Sequence, residues 1–397
     1  MKQLAILGST GSIGRQCLLV VEALPGRFGV VALAAGANLE ELIGQIERHK
    51  PEVVSVSDAA KADELASKLR EKGIALPAIH HGREGMLAVG AHSKADIVVS
   101  AAVGVVGLEA TYEAVKLGRT IALSNKEVLV AAGELVMAAA EKSGKELLPV
   151  DSEHNAVHQC LRAGEHKEVT RLVLTASGGP FRKTPLKDLE KVSIEQALAH
   201  PNWKMGNRIT IDSATMMNKG FEVIEARWLF RMRPDQIEVV IHPQSTIHSM
   251  VEYVDGSILA QLGPTDMRLP IQYALTYPER VASNQVALSL DWSKLKRLDF
   301  EKASTRRYPC LRLAREALKK GGALPCALNA ADEIAVAAFL DGKLPFLGIP
   351  EVVEKVLVRM PRLKLQKIDD VLAADAEARR MAKEEVAALS SRAKAAS

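Results

Sequence analysis

Asp151, Ser152 and Glu153 follow directly on an apolar run, Leu147–Val150. If the backbone stays extended there, side chains alternate, so Asp151 and Glu153 point one way and Ser152 the other. Two carboxylates at a strand end are short, anionic oxygen ligands of the kind a hard divalent cation takes, with room left for substrate. The same residues would equally close a strand as an acidic turn, and other parts of the chain decide between these.

A second cluster runs from Asp212 to Glu225. It reads as a helix opening that Asp212 or Ser213 can cap, with first-turn amides forming an anion site. Asn218 lies four positions before Glu222 and Lys219 three, so they share a helix face. Met216, Met217, Phe221, Val223 and Ile224 make this helix largely buried, and buried charge is costly without a partner. A phosphate near Ser213, Asn218 and Lys219, and a metal near Glu222, would supply those partners.

The third cluster is Gly8-Ser9-Thr10-Gly11-Ser12-Ile13-Gly14, after the apolar run Leu4–Leu7 and before a helical stretch. Glycines there let the chain turn sharply and approach a pyrophosphate held on the amides of the following helix. The spacing is G-x-x-G-x-x-G, one residue longer in its first half than the common dinucleotide fingerprint. The second strand ends Ala34-Ala35-Gly36-Ala37-Asn38 without a carboxylate. That favours NADP, whose 2′-phosphate an acid would repel, although no Arg or Lys stands there to clamp it.

The elements that must position these residues follow from periodicity. Strand candidates are Leu4–Leu7, Val30–Ala34, Val53–Val56, Ile97–Ser100, Thr120–Leu123 and Leu147–Val150, with amphipathic stretches such as Leu39–His49 and Asp58–Lys72 between them. This alternation predicts a Rossmann-like parallel sheet covered on both faces over 1–150. From Asp151 to about 290 the pattern becomes α+β, with strand candidates Leu172–Thr175, Ile237–Ile241 and Ile258–Leu262. Within it, the polar stretch 177–207 carries Gly178-Gly179-Pro180 and His200-Pro201 and is expected to be a flexible functional loop. A Lys/Asp-rich connector, 291–307, leads to a helical region, 308–397, with helical spacing in Leu311–Lys320, Asn329–Leu340 and Asp370–Arg392 and a frayed end.

Bulk properties narrow the class. The 397 residues suffice for two or three cores, and Lys+Arg exceeds Asp+Glu only 52 to 48, scattered along the chain. A nucleic-acid footprint would need clustered basic residues, and aromatics at 4% are too sparse for base stacking. Cys17, Cys160, Cys310 and Cys326 form no C-x-x-C pair, so reduced thiols in a cytoplasm are expected. Neither a signal peptide nor a membrane-spanning apolar run is visible.

Taken in order, Gly8–Gly14, Ser124-Asn125-Lys126-Glu127, Asp151–Asn155, Ala176–Phe181, His200–Gly206, Asp212–Glu222, Ile241–Ser245, Gly263–Arg268, Pro309–Ala314 and Leu328–Glu333 are similar to the 1-deoxy-D-xylulose 5-phosphate reductoisomerase family over nearly the whole chain. The resemblance implies a skeletal rearrangement followed by NADPH reduction, giving 2-C-methyl-D-erythritol 4-phosphate for isoprenoid synthesis. It implies that Asp151, Glu153 and Glu222 ligate one Mg2+ or Mn2+, and that Lys126 donates to a substrate hydroxyl oxygen nearby. Ser152 would also hold substrate, and Ser177, Ser213, Asn218 and Lys219 would grip its phosphate. His200 would lie on the loop closing over substrate, with Trp203 and Met205 as apolar cover. Gly8, Thr10, Gly11, Ser12, Ile13, Gly36, Ala37, Asn38, Asn125, Glu127 and Gly206 fall at cofactor positions, and a homodimer is implied. The chain departs from the family at Ala37, where many relatives carry a basic residue.

Several histidines read as structural. His154 and His158 are four apart but not in an H-E-x-x-H order, His80-His81 looks like loop, and His242 and His248 belong to a sheet segment. The competing class is another NADP-dependent oxidoreductase acting on a small phosphorylated carbonyl substrate, which would want an active-site cysteine and no metal. A non-catalytic nucleotide sensor would have no use for the carboxylate trio.

Overall fold

The computed structural model describes residues 1–203, 205–283 and 289–396, the side chains of 392–396 excepted. Lys204 of the candidate lid and residues 284–288, near the end of the 151–290 region, lie outside the described residues.

The N-terminal part alternates as its sequence pattern requires. Strands β1 (Lys2–Leu7), β2 (Phe28–Ala34), β3 (Val53–Val56), β4 (Ala78–His81), β5 (Ile97–Ser100), β6 (Thr120–Leu123) and β7 (Leu147–Pro149) are separated by helices α1 (Ser12–Ala23), α2 (Leu39–His49), α3 (Ala59–Glu71), α4 (Gly82–Gly90), α5 (Leu108–Lys116) and α6 (Glu127–Ser143). They form one parallel sheet of seven strands in the order β4-β3-β2-β1-β5-β6-β7. The order doubles back at β1, so the C-terminal ends of β1, β2 and β5 border the crevice where such sheets take ligands. β4 is the exception to the sequence reading: His80-His81 is not loop but an edge strand. Its side chains are mostly exposed, so it has no apolar alternation to announce it.

The chain continues through α7 (Ser152–Leu161), β8 (Val169–Ala176), α8 (Ile194–Leu198), α9 (Asn207–Thr215), α10 (Met217–Leu229), β9 (Ile237–Ile241), β10 (Ile247–Tyr253), β11 (Ile258–Leu262), α11 (Arg268–Thr276) and β12 (Glu301–Lys302). A second, mixed sheet runs β11-β10-β8-β9-β12, with β8 and β9 parallel and the other pairs antiparallel. Helices α12 (Pro309–Lys320), α13 (Leu324–Leu340), α14 (Gly348–Arg359) and α15 (Ile368–Ala396) complete the fold, and α15 is helical where a frayed end was expected.

Two compact units result. The first holds 1–128, 136–155 and 266–289 and packs Leu4, Ile6, Leu33, Leu42, Ile97, Leu148 and Ile271 into one core. The second holds 129–135, 156–265 and 290–397. Its α13 is apolar nearly all round and buried along most of its length, which is what a helix enclosed by others needs.

Candidate active site

The glycine turn after β1 is built as its spacing requires. Gly8 sits at φ 87°, and a Cβ there would lie 2.6 Å from the Ala101 carbonyl oxygen. A Cβ at Gly14 would lie 2.4 Å from the Gly8 oxygen, so the turn closes only with glycine at both places. No side chain caps α1, which leaves its first-turn amides around Ser12 and Ile13 for an anion. At the end of β2, Gly36, Ala37 and Asn38 are exposed, and Asn38 Oδ1 accepts from Glu41 N at 3.2 Å to cap α2. Asn125 is buried, donates to Gly104 O at 2.8 Å, and keeps an Oδ1 that meets no donor among the described residues. That orphaned acceptor and the glycine cradle fit a dinucleotide. Thr10 and Gly11 complete the turn, Glu127 opens α6, and Gly206 stands at the start of α9.

Asp151, Ser152 and Glu153 are not extended, which corrects the alternation expected for them. β7 ends at Pro149, α7 starts at Ser152, and Asn155 N donates to Asp151 O at 2.8 Å, the first helical bond. The acids therefore occupy a helix entrance, where unpaired amides and the positive dipole end favour negative charge. Asn155 fixes this entrance by donating to Pro149 O at 2.8 Å and Pro270 O at 3.2 Å. Lys126, only 7% exposed, donates to Asp151 Oδ2, and Ser152 Oγ donates to Glu153 Oε2 at 2.7 Å.

The second acidic cluster also differs from its expected form. Asp212 and Ser213 lie inside α9 and cap nothing, because the chain breaks at Met216, in the left-handed region at φ 63°, and restarts as α10. The expected face does form. Asn218 Nδ2 donates to Glu222 Oε1 at 2.7 Å and Lys219 Nζ to Glu222 Oε2. Glu222 is fully buried and Lys219 3% exposed, so the bonds between them help make both buried charges tolerable.

The stretch 177–207 is not one structureless loop: it contains a 3-10 turn, 186–191, and α8. Ser177 Oγ lies 3.0 Å from His200 Nε2. His200 Nδ1 accepts from Asn202 N at 3.2 Å and Trp203 N at 3.0 Å, so Nε2 carries the proton and donates to Ser177. Asn202 Nδ2 reaches Pro243 O at 2.6 Å and Ser245 Oγ at 2.9 Å, pinning the stretch to the turn before β10. Trp203 lies tilted against His248, ring centroids 6.3 Å apart, and Met205 is half-buried. Gly178 and Gly179 both have positive φ, and a Cβ at Gly179 would lie 2.9 Å from Ser213 O. The Ser177 turn thus sits directly on α9 beside Ser213.

Other residues sort as expected or were missed. His242 is satisfied structurally, with Nδ1 2.9 Å from Asp299 O and its ring stacked on Phe300. Burial pushes the Cys160 thiol up to about 11, which removes it as a nucleophile at neutral pH. Missed altogether was a buried network joining Arg208 and Asp212 of α9 to Asn329, Asp332 and Glu333 of α13. Those residues stand more than 110 positions apart in sequence (329 − 212 = 117), and no local pattern pairs them.

Comparison with known proteins gives three family matches: "1-deoxy-D-xylulose 5-phosphate reductoisomerase" over residues 4–133, its "C-terminal domain" over 147–230, and "DXP reductoisomerase C-terminal domain" over 262–381. A 1-deoxy-D-xylulose 5-phosphate reductoisomerase of Solibacter usitatus is 52% identical over 387 residues, covering 97% of both chains. That of Pelotomaculum thermopropionicum is 51% identical, covering 96% of this chain and 97% of its own. Among solved structures, a DOX-P reductoisomerase in complex with NADPH, fosmidomycin and magnesium has a TM-score of 0.92 at 39% identity, covering 97% of this chain and 98% of its own. The Zymomonas mobilis enzyme in complex with NADPH has a TM-score of 0.90 at 43% identity, covering 97% and 99%.

Proposed function

The chain belongs to the 1-deoxy-D-xylulose 5-phosphate reductoisomerase family, and we propose that Asp151, Glu153 and Glu222 hold the divalent cation of its reaction, with Lys126 beside them. It is an NADPH- and divalent-metal-dependent oxidoreductase. It rearranges and reduces 1-deoxy-D-xylulose 5-phosphate to 2-C-methyl-D-erythritol 4-phosphate in the non-mevalonate isoprenoid pathway. When bound, the cation supplies Lewis-acid polarisation of the substrate's oxygens and NADPH supplies the hydride.

The observation that carries the ligand assignment is how positive charge is distributed. Lys126 and Lys219 each give a hydrogen bond to a carboxylate, Asp151 and Glu222, in a largely buried setting. An all-oxygen donor set of this kind suits Mg2+ or Mn2+. Lys126 then orients a substrate hydroxyl, and Ser152 adds a neutral donor. Ser177, Ser213, Asn218 and Lys219 take the phosphate. His200, Trp203 and Met205 form the cover that keeps water from the reacting carbons. The NADPH site is the glycine turn with Gly36, Ala37, Asn38, Asn125, Glu127 and Gly206. As functional regions these correspond to a cofactor region over 1–150, a catalytic region over 151–290 with its lid at 177–207, a connector over 291–307 and a helical region over 308–397.

The working form is a homodimer in the cytoplasm. Supporting the dimer, β11 is the edge of its sheet and exposes Ile258 at 53% and Leu259 at 38%, an apolar edge that calls for cover. Supporting the compartment, all four cysteines are free and buried. Among the described residues no helix is long and apolar enough to cross a membrane.

The test is NADPH absorbance with deoxyxylulose phosphate present, with Mg2+ or Mn2+ and then with excess chelator. Oxidation should require substrate and metal together. Turnover that survives complete chelation would contradict the metal-dependent reading.

A further inference from the structure

Behind the residues assigned to the phosphate, α9 and α13 meet in a buried charged knot. Arg208 of α9 directs Nη1 to Glu333 Oε1 at 2.9 Å and Nη2 to Asn329 Oδ1 at 3.0 Å, and its Nε lies 3.7 Å from Asp212 Oδ2. Arg379 of α15 gives Nη2 to Glu333 Oε2 at 2.6 Å and Nε to Asp375 Oδ2 at 2.6 Å. Both guanidiniums are therefore engaged with Glu333. Asp332, its neighbour in sequence, is fully buried, and neither of its oxygens meets an N–H or O–H of an uncharged or cationic donor among the described residues. What faces it is the Asp212 carboxyl of α9, a helix that Arg208 ties to α13 on either side of Asp332, through Asn329 and Glu333.

Two ionised carboxylates cannot hydrogen-bond each other, and in a dry site they repel strongly; one of the pair keeps a proton. Geometry says which. Arg208 lies beside Asp212 and stabilises its charge, whereas Asp332 is the deeper of the two. Burial first, and then the Asp212 charge, push the Asp332 pKa well up, against the opposing pull of Arg208. The other groups bearing on it are Glu333 of its own helix and the Cys310 thiol of α12, itself pushed up by burial. On α15, Asp375 and Arg379 pair with each other. Other helices packed against α13 carry ion pairs of their own: Glu354 with Arg312, Lys355 with Glu351 and Arg359 with Glu384 on the α14 side, and Lys219 with Glu222 on α10, which also bears the buried Glu225.

We propose that Asp332 is a positioning residue: a neutral carboxylic acid that donates a hydrogen bond to the Asp212 carboxylate and so fixes α9 with Ser213 against the Ser177–Gly179 turn. This rests on the assignment of Ser177 and Ser213 to the substrate phosphate. The coupling is tight because Ser213 immediately follows Asp212, and the turn approaches Ser213 O so closely that Gly179 has no space for a Cβ. A displaced α9 would act first on phosphate binding, so KM should change more than kcat.

The linkage has a definite sign. A carboxyl whose folded pKa is raised contributes stability that is full below its unfolded value and is lost as pH climbs through the folded value. Asp332→Asn keeps a donor for Asp212 and never titrates, so it escapes that loss.

The experiment uses the full-length protein as wild type, Asp332→Asn, Asp332→Leu and Ser213→Ala. Infrared difference spectra read the protonated carboxyl, thermal unfolding is followed from mildly acid to alkaline pH, and substrate KM and kcat are measured. Wild type should show a protonated-carboxyl band at neutral pH that Asp332→Asn lacks. Asp332→Asn should keep the wild-type KM and melt higher, by a margin that widens as pH rises. Asp332→Leu should raise KM about tenfold, the scale of one charge-assisted hydrogen bond, with a smaller change in kcat. If Asp332→Leu does not fold, the Asn comparison decides alone. An unchanged infrared band, or wild-type and Asn melting curves that run parallel at every pH, overturns the proposal. Ser213→Ala is the control on its premise: an unchanged KM there sinks the phosphate assignment, while the infrared and melting arms still judge the shared proton.

Discussion

Lys219 and Glu222 are buried together on one face of α10, where the bond between them helps make both charges tolerable. Because Lys219 also belongs to the proposed phosphate grip, Lys219→Ala removes a cation from substrate and leaves Glu222 short of one partner. Loss of a charge-assisted hydrogen bond costs about 1.5–3 kcal/mol, so kcat/KM should fall roughly ten- to a hundredfold, chiefly through KM. Steady-state kinetics check this, and an unchanged KM would remove Lys219 from the grip. The Asn218/Lys219/Glu222 face was legible in the sequence because helical neighbours three and four apart must meet. Lys126 beside Asp151 was not legible from spacing, since the pair is joined by the adjacency of β6 and β7 in the sheet. Asp332 was still less so. Its partner is set by the packing of α9 on α13, which no local pattern announces.

The strands and most helices were written in apolar runs and periodicity, and those are the elements whose bounds agree best: Leu39–His49, Val53–Val56, Ile97–Ser100 and Thr120–Leu123 appear unchanged. What escaped were junctions. Asp151–Glu153 would have alternated had the strand continued, but Pro149 ends β7 and the acids serve as a helix entrance instead. The α9–α10 break at Met216 has no sequence signal, because a non-glycine residue at φ 63° costs roughly 1 kcal/mol and is chosen only by its surroundings. The Gly178-Gly179 turn is the opposite case, with two glycines announcing positive φ. Gly179→Ala would strain the backbone and drive a Cβ into α9 at Ser213, so it should raise substrate KM severalfold or more while leaving NADPH affinity unchanged. Cofactor fluorescence titration alongside kinetics checks both halves, and a wild-type KM would show that the turn does not support the phosphate site.

At the scale of the molecule, a doubly wound parallel sheet offers the kind of crevice where such sheets take dinucleotides, and a mixed sheet is followed by four C-terminal helices with a buried polar interior. The parallel sheet was legible because buried parallel strands read as near-continuous apolar runs. The mixed sheet was only half legible: β12 is two charged, exposed residues within the connector, recognisable only by its pairing with β9. On the proposed assignment, function at this scale depends on acids distant in sequence acting as one ligand set. The most direct measurement is a calorimetric Mn2+ titration of wild type, Asp151→Asn, Glu153→Gln and Glu222→Gln, with NADPH binding followed by fluorescence on the same samples. One Mn2+ site per chain should be seen in wild type and be lost or greatly weakened in every single variant, with NADPH affinity preserved. Variants that bind Mn2+ as wild type does would contradict the assignment of these carboxylates to the cation.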